Sequence, residues 1–156
     1  METKRARNSC KAIIINDGKL LTVKKIDGEL VYYVLPGGGQ IYGETFVETV
    51  SRECFEELGI KPKIIGDILF IREYIGKNHD FPMNHKDVHQ IEYMFVCEID
   101  KEKITKGNDE DIGQIVREWI PLNKLLISNF YPKKLINELI LYSKNINTKV
   151  YLGDIN

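Results

Sequence analysis

The 156-residue sequence predicts a single α+β domain, and three observations support this. Runs rich in Ile, Val, Leu and Tyr, bounded by turn-forming residues, indicate strands. Two segments with apolar residues at helical spacing indicate amphipathic helices. The length is typical of one domain that buries its own core. We therefore expect residues 1–156 to form one unit, with residues 1–8 as a flexible N-terminal tail.

The first expected element is a β-hairpin. Apolar runs at residues 12–15 and 20–23 flank an Asn-Asp-Gly-Lys turn, and Asn, Asp and Gly tolerate the positive φ angles that such turns require. A second turn at Asp27-Gly28 leads into a strand over residues 31–35, which Pro36 and three glycines end. The glycine run therefore follows directly after a strand.

The next expected element is an amphipathic helix over residues 45–58, with Gly59 as its C-cap. Its apolar residues recur every three or four positions, which is the spacing of a stripe that faces the core. The expected stripe consists of Val47, Val50, Cys54 and Leu58.

The second half of the chain predicts further strands and a second helix. Residues 64–75 and 88–99 read as long strands, and the connection between them is long enough to form a binding loop. An acidic loop at 106–111 precedes a strand over 116–121. Pro132 introduces a helix, and the tail after residue 145 has no clear periodicity. The apolar face of this second helix consists of Leu135, Ile136, Leu139 and Ile140.

Composition narrows the class of function. A formal net charge of -1 without a long Lys/Arg run argues against a surface for duplex nucleic acid and favours a small anionic substrate. Three cysteines without a Cys-x-x-Cys pair give no disulfide framework, so a reducing cytoplasm is expected. Neither a signal peptide nor a run of transmembrane length occurs, so no membrane partner is expected. Nothing in the sequence chooses between a monomer and a homodimer.

The first helix carries clustered acids. Glu53, Glu56 and Glu57 share one sector beside Arg52, away from the apolar stripe. Like charges at these spacings disfavour an isolated helix. A hard divalent cation binds oxygen ligands and would stabilise the three carboxylates in this arrangement. A metal site and an ordinary solvated acidic face both fit these three residues alone.

The wider pattern decides between them, because it resembles a known family. It matches every position of the Nudix box: Gly38-x₅-Glu44-x₇-Arg52-Glu53-Cys54-x-Glu56-Glu57-x-Gly59-Ile60. A pattern of this length and specificity is far more informative than a short glycine motif. The resemblance implies an α/β/α sandwich around a mixed sheet, with the box as a loop-helix-loop.

The resemblance also implies a metal site for Mg²⁺ or Mn²⁺. Its expected ligands are Glu53, Glu56, Glu57 and the carbonyl of Gly37. Arg52 resembles the residue that orients Glu53, since a guanidinium holds a carboxylate in a fixed fork. Glu44 resembles the family's outer or supporting carboxylate.

Other roles are less sharply defined by the resemblance. The general base is expected to be Glu53, with Glu98 and the acidic-loop residues Glu110 and Asp111 as alternatives. Within the long connection and the strand before it, Arg72 and Lys77 could bind phosphate, and Tyr74 could stack on a base.

The implied activity is hydrolysis of a nucleoside diphosphate linked to another moiety. We expect a nucleoside triphosphate to be cleaved to a monophosphate and pyrophosphate, with water attacking a phosphorus of the diphosphate bridge. The alternatives are ADP-ribose, a nucleotide sugar, a dinucleotide polyphosphate or the 5′ end of an RNA. An alternative of a different class is a non-catalytic sensor that binds a nucleotide.

Overall fold

The computed structural model describes residues 3–80, 86–100, 102 and 116–156. Its helices are α1 (Phe46–Leu58) and α2 (Leu135–Ser143). Its strands, in chain order, are β1 (Arg7–Ile13), β2 (Ile15–Asn16), β3 (Lys19–Asp27), β4 (Leu30–Val34), β5 (Gly37–Gly39), β6 (Lys63–Ile75), β7 (His89–Glu98), β8 (Arg117–Pro121) and β9 (Tyr151–Asp154). The expected acidic loop, with Glu110 and Asp111, lies outside the described residues.

Five strands form a mixed sheet in the order β5-β1-β7-β6-β9. The pairs β1–β7 and β6–β9 are parallel, whereas β1–β5 and β6–β7 are antiparallel. The expected mixed sheet is confirmed. Strand β9 was not recognised in the sequence, because four residues with two apolar side chains carry too little periodicity to identify a strand.

A second, antiparallel sheet is centred on β3, which pairs with β8, β2 and β4. The expected turn after β2 is confirmed, since Asp17 has φ 50° and Gly18 has φ 70°. The strand expected over residues 12–15 is divided between the two sheets. Ala12 and Ile13 pair with β7. Ile15 pairs with β3, and the Ile14 carbonyl accepts a hydrogen bond from the Leu21 amide of β3 at 2.9 Å. Parallel pairing with a distant strand therefore displaces part of the expected hairpin.

The helices cover opposite faces of the mixed sheet. Val50 and Cys54 of α1 share a buried cluster with Cys10 and Ala12 of β1. On the other face, α2 packs on a cluster that includes Phe70. This confirms the α/β/α sandwich. All three cysteines are free and buried. Among the described residues, no helix is long and apolar enough to cross a membrane.

Helix α1 begins and ends as the sequence indicates. Thr45 caps its N-terminus in a capping box with Glu48, and Gly59 ends it in the left-handed conformation at φ 73°. The prediction that Val47 is buried is wrong, because this side chain is 51% exposed. Phe46 covers the sheet at that end of the helix instead, with its ring stacked 4.1 Å from that of Tyr93.

The N-terminal tail is shorter than expected. Strand β1 begins at Arg7, so residues 7 and 8 belong to the sheet rather than to a flexible segment. The carbonyl of Asn8 accepts a hydrogen bond from the Gln40 amide at 3.0 Å, which ties the start of β1 to the end of the glycine run.

Candidate active site

The glycine run forms strand β5 and lies against α1. Gly38 pairs with Cys10 of β1, and its α-carbon faces the carboxylate of Glu53. A Cβ built on Gly38 would lie 2.4 Å from Cδ of Glu53 and 2.6 Å from both carboxylate oxygens. Only glycine leaves the space that this carboxylate occupies.

Arg52 is the centre of an ion-pair network. Its Nη1 donates to Glu53 at 2.9 Å and to Glu56 at 3.4 Å, while Nη2 donates to the Gly39 carbonyl at 2.9 Å. Nε and Nη2 both donate to Glu44, at 2.5 and 3.1 Å. These bonds, led by those to Glu44, raise the pKa of Arg52. The arginine therefore fixes Glu53 against the glycine run, and the part that the resemblance implies for Arg52 in the reaction stays a prediction.

Glu44 acts as a support for Arg52. Besides the two bonds from Arg52, its carboxylate accepts hydrogen bonds from the Ile41 amide at 3.0 Å and the Thr49 hydroxyl at 2.9 Å. Arg52 is the main cause that lowers the pKa of Glu44 to about 2. Because four donors already use its oxygens, Glu44 has the structure of a supporting carboxylate.

Glu57 has a buried oxygen without a partner. Its side chain is only 8% exposed, so the alternative of a solvated acidic face is wrong for this residue. Oε1 accepts a long hydrogen bond of 3.4 Å from the Gly37 amide, and Oε2 has no hydrogen-bond partner. Burial raises the pKa of Glu57, opposed by the charges of Lys11 and Lys25. An unsatisfied buried carboxylate oxygen is rare, and a bound cation would satisfy it.

These residues fit a hard divalent cation. Glu53 and Glu57 lie against the same glycine run, and Glu56 follows with a side chain that is 55% exposed. The atoms that these side chains offer to a metal are all oxygens, which is the ligand type that Mg²⁺ prefers. Within the described ranges, no group of three or more His, Cys, Asp or Glu side chains has the geometry to hold a metal ion as the side chains stand. Arg52 instead draws together the carboxylates of Glu44, Glu53 and Glu56. The buried Oε2 of Glu57 has no hydrogen-bond partner.

A cavity of about 290 Å³ adjoins this cluster. Lys11 connects the two, since it lines the cavity, pairs with Gly37 across β1 and β5, and lowers the pKa of Glu57. A cavity enclosed by aromatic and basic side chains suits a ligand with both an apolar and an anionic part. The lining residues that matter below are Arg7, Lys11, Lys25, Tyr32, Arg72 and Tyr74.

A buried ion pair forms one wall of the cavity. Arg72 and Glu92 are 8% and 4% exposed, and Arg72 Nε donates to Glu92 Oε2 at 2.5 Å. Gln90 donates to the other oxygen of Glu92 at 2.9 Å. Burial opposes ionisation of Glu92, but the charges of Arg72 and Lys11 together with these hydrogen bonds lower its pKa to about 2. The Arg72 guanidinium carbon also lies 5.4 Å from the ring centre of Tyr74.

Sequence reasoning missed Gln90 and Glu92. The available signal was alternation: both are polar, lie two residues apart and share a face of β7 with the buried Met94. Two polar side chains on a core-facing stripe of a strand indicate a partner or a site. Here both residues contribute to the cavity wall.

Two predicted site residues lie elsewhere. Glu98 is exposed at the end of β7 and pairs across the sheet with Lys63. It lies six residues beyond Glu92, about 20 Å at the rise of a strand. Lys77 is exposed in a short 3-10 helix after β6 and does not line the cavity. The structure does not bring either residue to the carboxylate cluster, and their catalytic and binding roles stay predictions.

Comparison with known proteins identifies two relatives by sequence. Two RNA pyrophosphohydrolases from Orientia tsutsugamushi, strains Boryong and Ikeda, are each 43% identical over 54 residues. The match covers 34% of this chain and 34% of each relative, so the chain aligns with about a third of their length.

Solved structures match over most of the chain. A NUDIX hydrolase from Nitrosomonas europaea has a TM-score of 0.70 at 17% identity and covers 90% of both chains. An ADP-ribose pyrophosphatase from Streptococcus suis has a TM-score of 0.62 at 18% identity, over 96% of this chain and 98% of that one. At these identities the likeness concerns the fold.

The family assignment rests on a longer match. Residues 6–139 match the NUDIX domain, which includes both helix α1 with its glycine run and the strands that line the cavity. On this match, together with the complete box and the shared fold, the chain belongs to the NUDIX family.

Proposed function

We propose that this protein is a metal-dependent pyrophosphohydrolase that cleaves a nucleoside diphosphate linked to another moiety. The preferred substrate in this proposal is a nucleoside triphosphate, with a monophosphate and pyrophosphate as products. The observation that supports it most directly is the unsatisfied Oε2 of Glu57, buried beside the glycine run and next to a cavity with basic and aromatic walls.

The metal in this proposal is Mg²⁺ or Mn²⁺. It would be held by Glu53, Glu56, Glu57 and the carbonyl of Gly37, with Glu44 in support through Arg52. A bound divalent cation neutralises phosphate oxygens and lowers the pKa of an attacking water. Arg52 keeps the acidic cluster in place by donating to three of its carboxylates.

The phosphates would bind between this cluster and the cavity. Arg7, Lys11 and Lys25 line the cavity. Within the described ranges, none of these three side chains forms a hydrogen bond or an ion pair. Cations that lack such a partner are available to an anionic ligand, and their positive charge favours a polyphosphate chain.

Glu53 is the proposed general base. Its carboxylate is held in place by the bond from Arg52 to Oε1 and by contact with Gly38. Positioning of this kind lets one carboxylate oxygen accept the proton of the attacking water while the other stays fixed. Hydrolysis adds the water oxygen to one phosphorus of a P–O–P bridge and breaks the bond from that phosphorus to the bridging oxygen, so that a nucleoside triphosphate separates into a monophosphate and pyrophosphate.

The nucleoside would occupy the aromatic part of the cavity. Tyr32, Tyr74 and Tyr131 line it, and the rings of Tyr32 and Tyr131 meet edge to face at 6.2 Å. Aromatic side chains offer stacking surfaces to any base, and Arg72 beside them offers hydrogen-bond donors. This division into a basic and an aromatic part favours a nucleotide over a simple phosphate ester.

A second candidate is hydrolysis of the diphosphate from an RNA 5′ end. The 43% identity over 54 residues to relatives described as RNA pyrophosphohydrolases favours it. The same cluster would perform the chemistry, and the difference lies in whether the cavity accepts a nucleotide that continues into a chain. A cytoplasmic location and a monomeric or homodimeric state stay predictions.

The experiment that tests this proposal is product identification by mass spectrometry. Wild-type protein with Mg²⁺ is incubated with nucleoside triphosphates, 5′-triphosphorylated RNA, ADP-ribose, nucleotide sugars and dinucleotide polyphosphates. Release of pyrophosphate from a nucleoside triphosphate is expected, and Glu57→Gln is expected to abolish it. Glu138→Gln, at a half-buried position of α2, controls for loss of one acid. Metal-dependent binding of a nucleotide without turnover would instead support the sensor.

A further inference from the structure

Residues 150–156, which we name the C-terminal strap, lie along the strand that carries two cavity residues. Strand β9 runs parallel to β6 and pairs with its residues 71–73. The Ile71 amide donates to the Val150 carbonyl at 2.8 Å, and the Ile155 amide donates to the Glu73 carbonyl at 3.2 Å. The match to the NUDIX domain ends at residue 139, so the strap lies outside the residues of that match.

The strap contacts Arg72 directly. Arg72 Nη1 donates to the Ile155 carbonyl at 2.8 Å and lies 3.5 Å from Oδ1 of Asn156. With Glu92 bonded to Nε, the guanidinium is held from two sides. Asn156 also lines the cavity. The position of this buried cation therefore depends on the strap as well as on Glu92.

The strap reaches Tyr74 through Asp154. Its carboxylate accepts hydrogen bonds from the Ile75 amide at 2.9 Å and Asn78 Nδ2 at 2.8 Å, and contacts His79 Nε2 at 2.6 Å. The His79 ring stacks on the Tyr74 ring at 5.4 Å and 12°. One carboxylate thus fixes the segment after β6 and the ring that covers Tyr74.

We propose that the C-terminal strap positions Arg72 and Tyr74 and so controls how tightly the cavity binds the nucleoside part of the substrate. This inference rests on the proposed function, because it assigns the nucleoside-binding part of the same site. The strap contacts the wall formed by Arg72, whereas the acidic cluster is held by Arg52. Disturbing the strap should therefore weaken nucleoside binding and leave the hydrolytic step intact.

The test uses Asp154→Ala, with Asp67→Ala as the matched control at an exposed position of β6. For the hydrolysed substrate, KM is expected to rise about tenfold with kcat within about twofold, as lost hydrogen bonds of this kind predict. Asp154→Asn, which keeps an oxygen acceptor, is expected to recover part of the loss. An unchanged KM, or a fall in kcat at unchanged KM, would overturn the inference.

A binding measurement separates this inference from the proposed function. Titration with a nucleoside 5′-monophosphate and with ribose 5-phosphate, without metal, requires no turnover. Asp154→Ala is expected to raise the Kd of the nucleoside monophosphate about tenfold and the Kd of ribose 5-phosphate by less than about twofold. Equal weakening of both, or no nucleotide binding by the wild type, would refute the role of the strap. Nucleotide binding that depends on Asp154 without hydrolysis of any substrate would refute only the proposed function.

Discussion

Replacing Gly38 by alanine is expected to displace the Glu53 carboxylate and leave the fold intact. The added Cβ would lie 2.4 Å from Cδ of Glu53, whereas ordinary van der Waals contact begins at 3.4 Å. The carboxylate must therefore move by about 1 Å. Gly38 is not among the glycines with positive φ, so its backbone conformation accepts alanine without strain.

Displacement of the Glu53 carboxylate is expected to lower kcat. A misplacement of about 1 Å at a reacting group lowers the rate by about 100-fold. The matched control is Gly66→Ala, where φ is +72° and no atom lies within 4 Å of the new Cβ. That change strains the backbone and is expected to lower the free energy of unfolding by about 1 kcal/mol without affecting kcat.

The assay combines kcat with Mg²⁺ and thermal unfolding for both variants. Gly38→Ala should have a lower kcat at a nearly unchanged Tm, and Gly66→Ala should have a lower Tm at an unchanged kcat. A Gly38→Ala protein with kcat within about threefold of the wild type would refute the argument that this glycine holds the place of the carboxylate.

Three further predictions follow from the same geometry. Gly39→Ala places a Cβ 2.0 Å from Arg7 Nη2, so displacement of this cation should raise KM about fivefold in steady-state assays, and an unchanged KM would contradict its phosphate-binding role. Arg52→Lys keeps the charge but loses the fork, so Mn²⁺ binding and kcat should fall at least about tenfold, and retention of both would disprove its positioning role. Because the pKa of Glu92 is lowered to about 2 from 4.5, its pair with Arg72 stabilises the fold above about pH 4.5 and loses this effect as the pH falls toward 2. The Tm of Glu92→Gln should therefore depend less on pH across that range than the Tm of the wild type. Parallel plots of Tm against pH would show that the pair does not contribute to stability.

The local parts of the fold could be predicted from the sequence. The turn at Asp17 and Gly18, the start of α1 at Thr45 and its end at Gly59 all depend on residues close together in the chain. In each case the residue type sets the backbone angle or the capping bond directly. The box residues on α1 were identified for the same reason, since their spacing is local.

The missed parts depend on distant pairings. Val47 has an apolar side chain at a core-facing spacing, yet Phe46 stacks on Tyr93 and leaves Val47 exposed. Strand β9 exists because β6 offers it a free edge, which no property of residues 151–154 reveals. The Arg72–Glu92 pair joins residues on neighbouring strands, so only the register of β6 and β7 shows that they meet.

We expect Glu57, buried against the glycine run, to hold a divalent cation that the reaction requires. Titration of Mn²⁺ followed by electron paramagnetic resonance measures this binding without any substrate. We predict that the wild type binds Mn²⁺, that Glu57→Gln weakens binding at least about tenfold, and that Glu138→Gln does not. Equal Mn²⁺ affinity in the wild type and Glu57→Gln would show that Glu57 does not hold the metal.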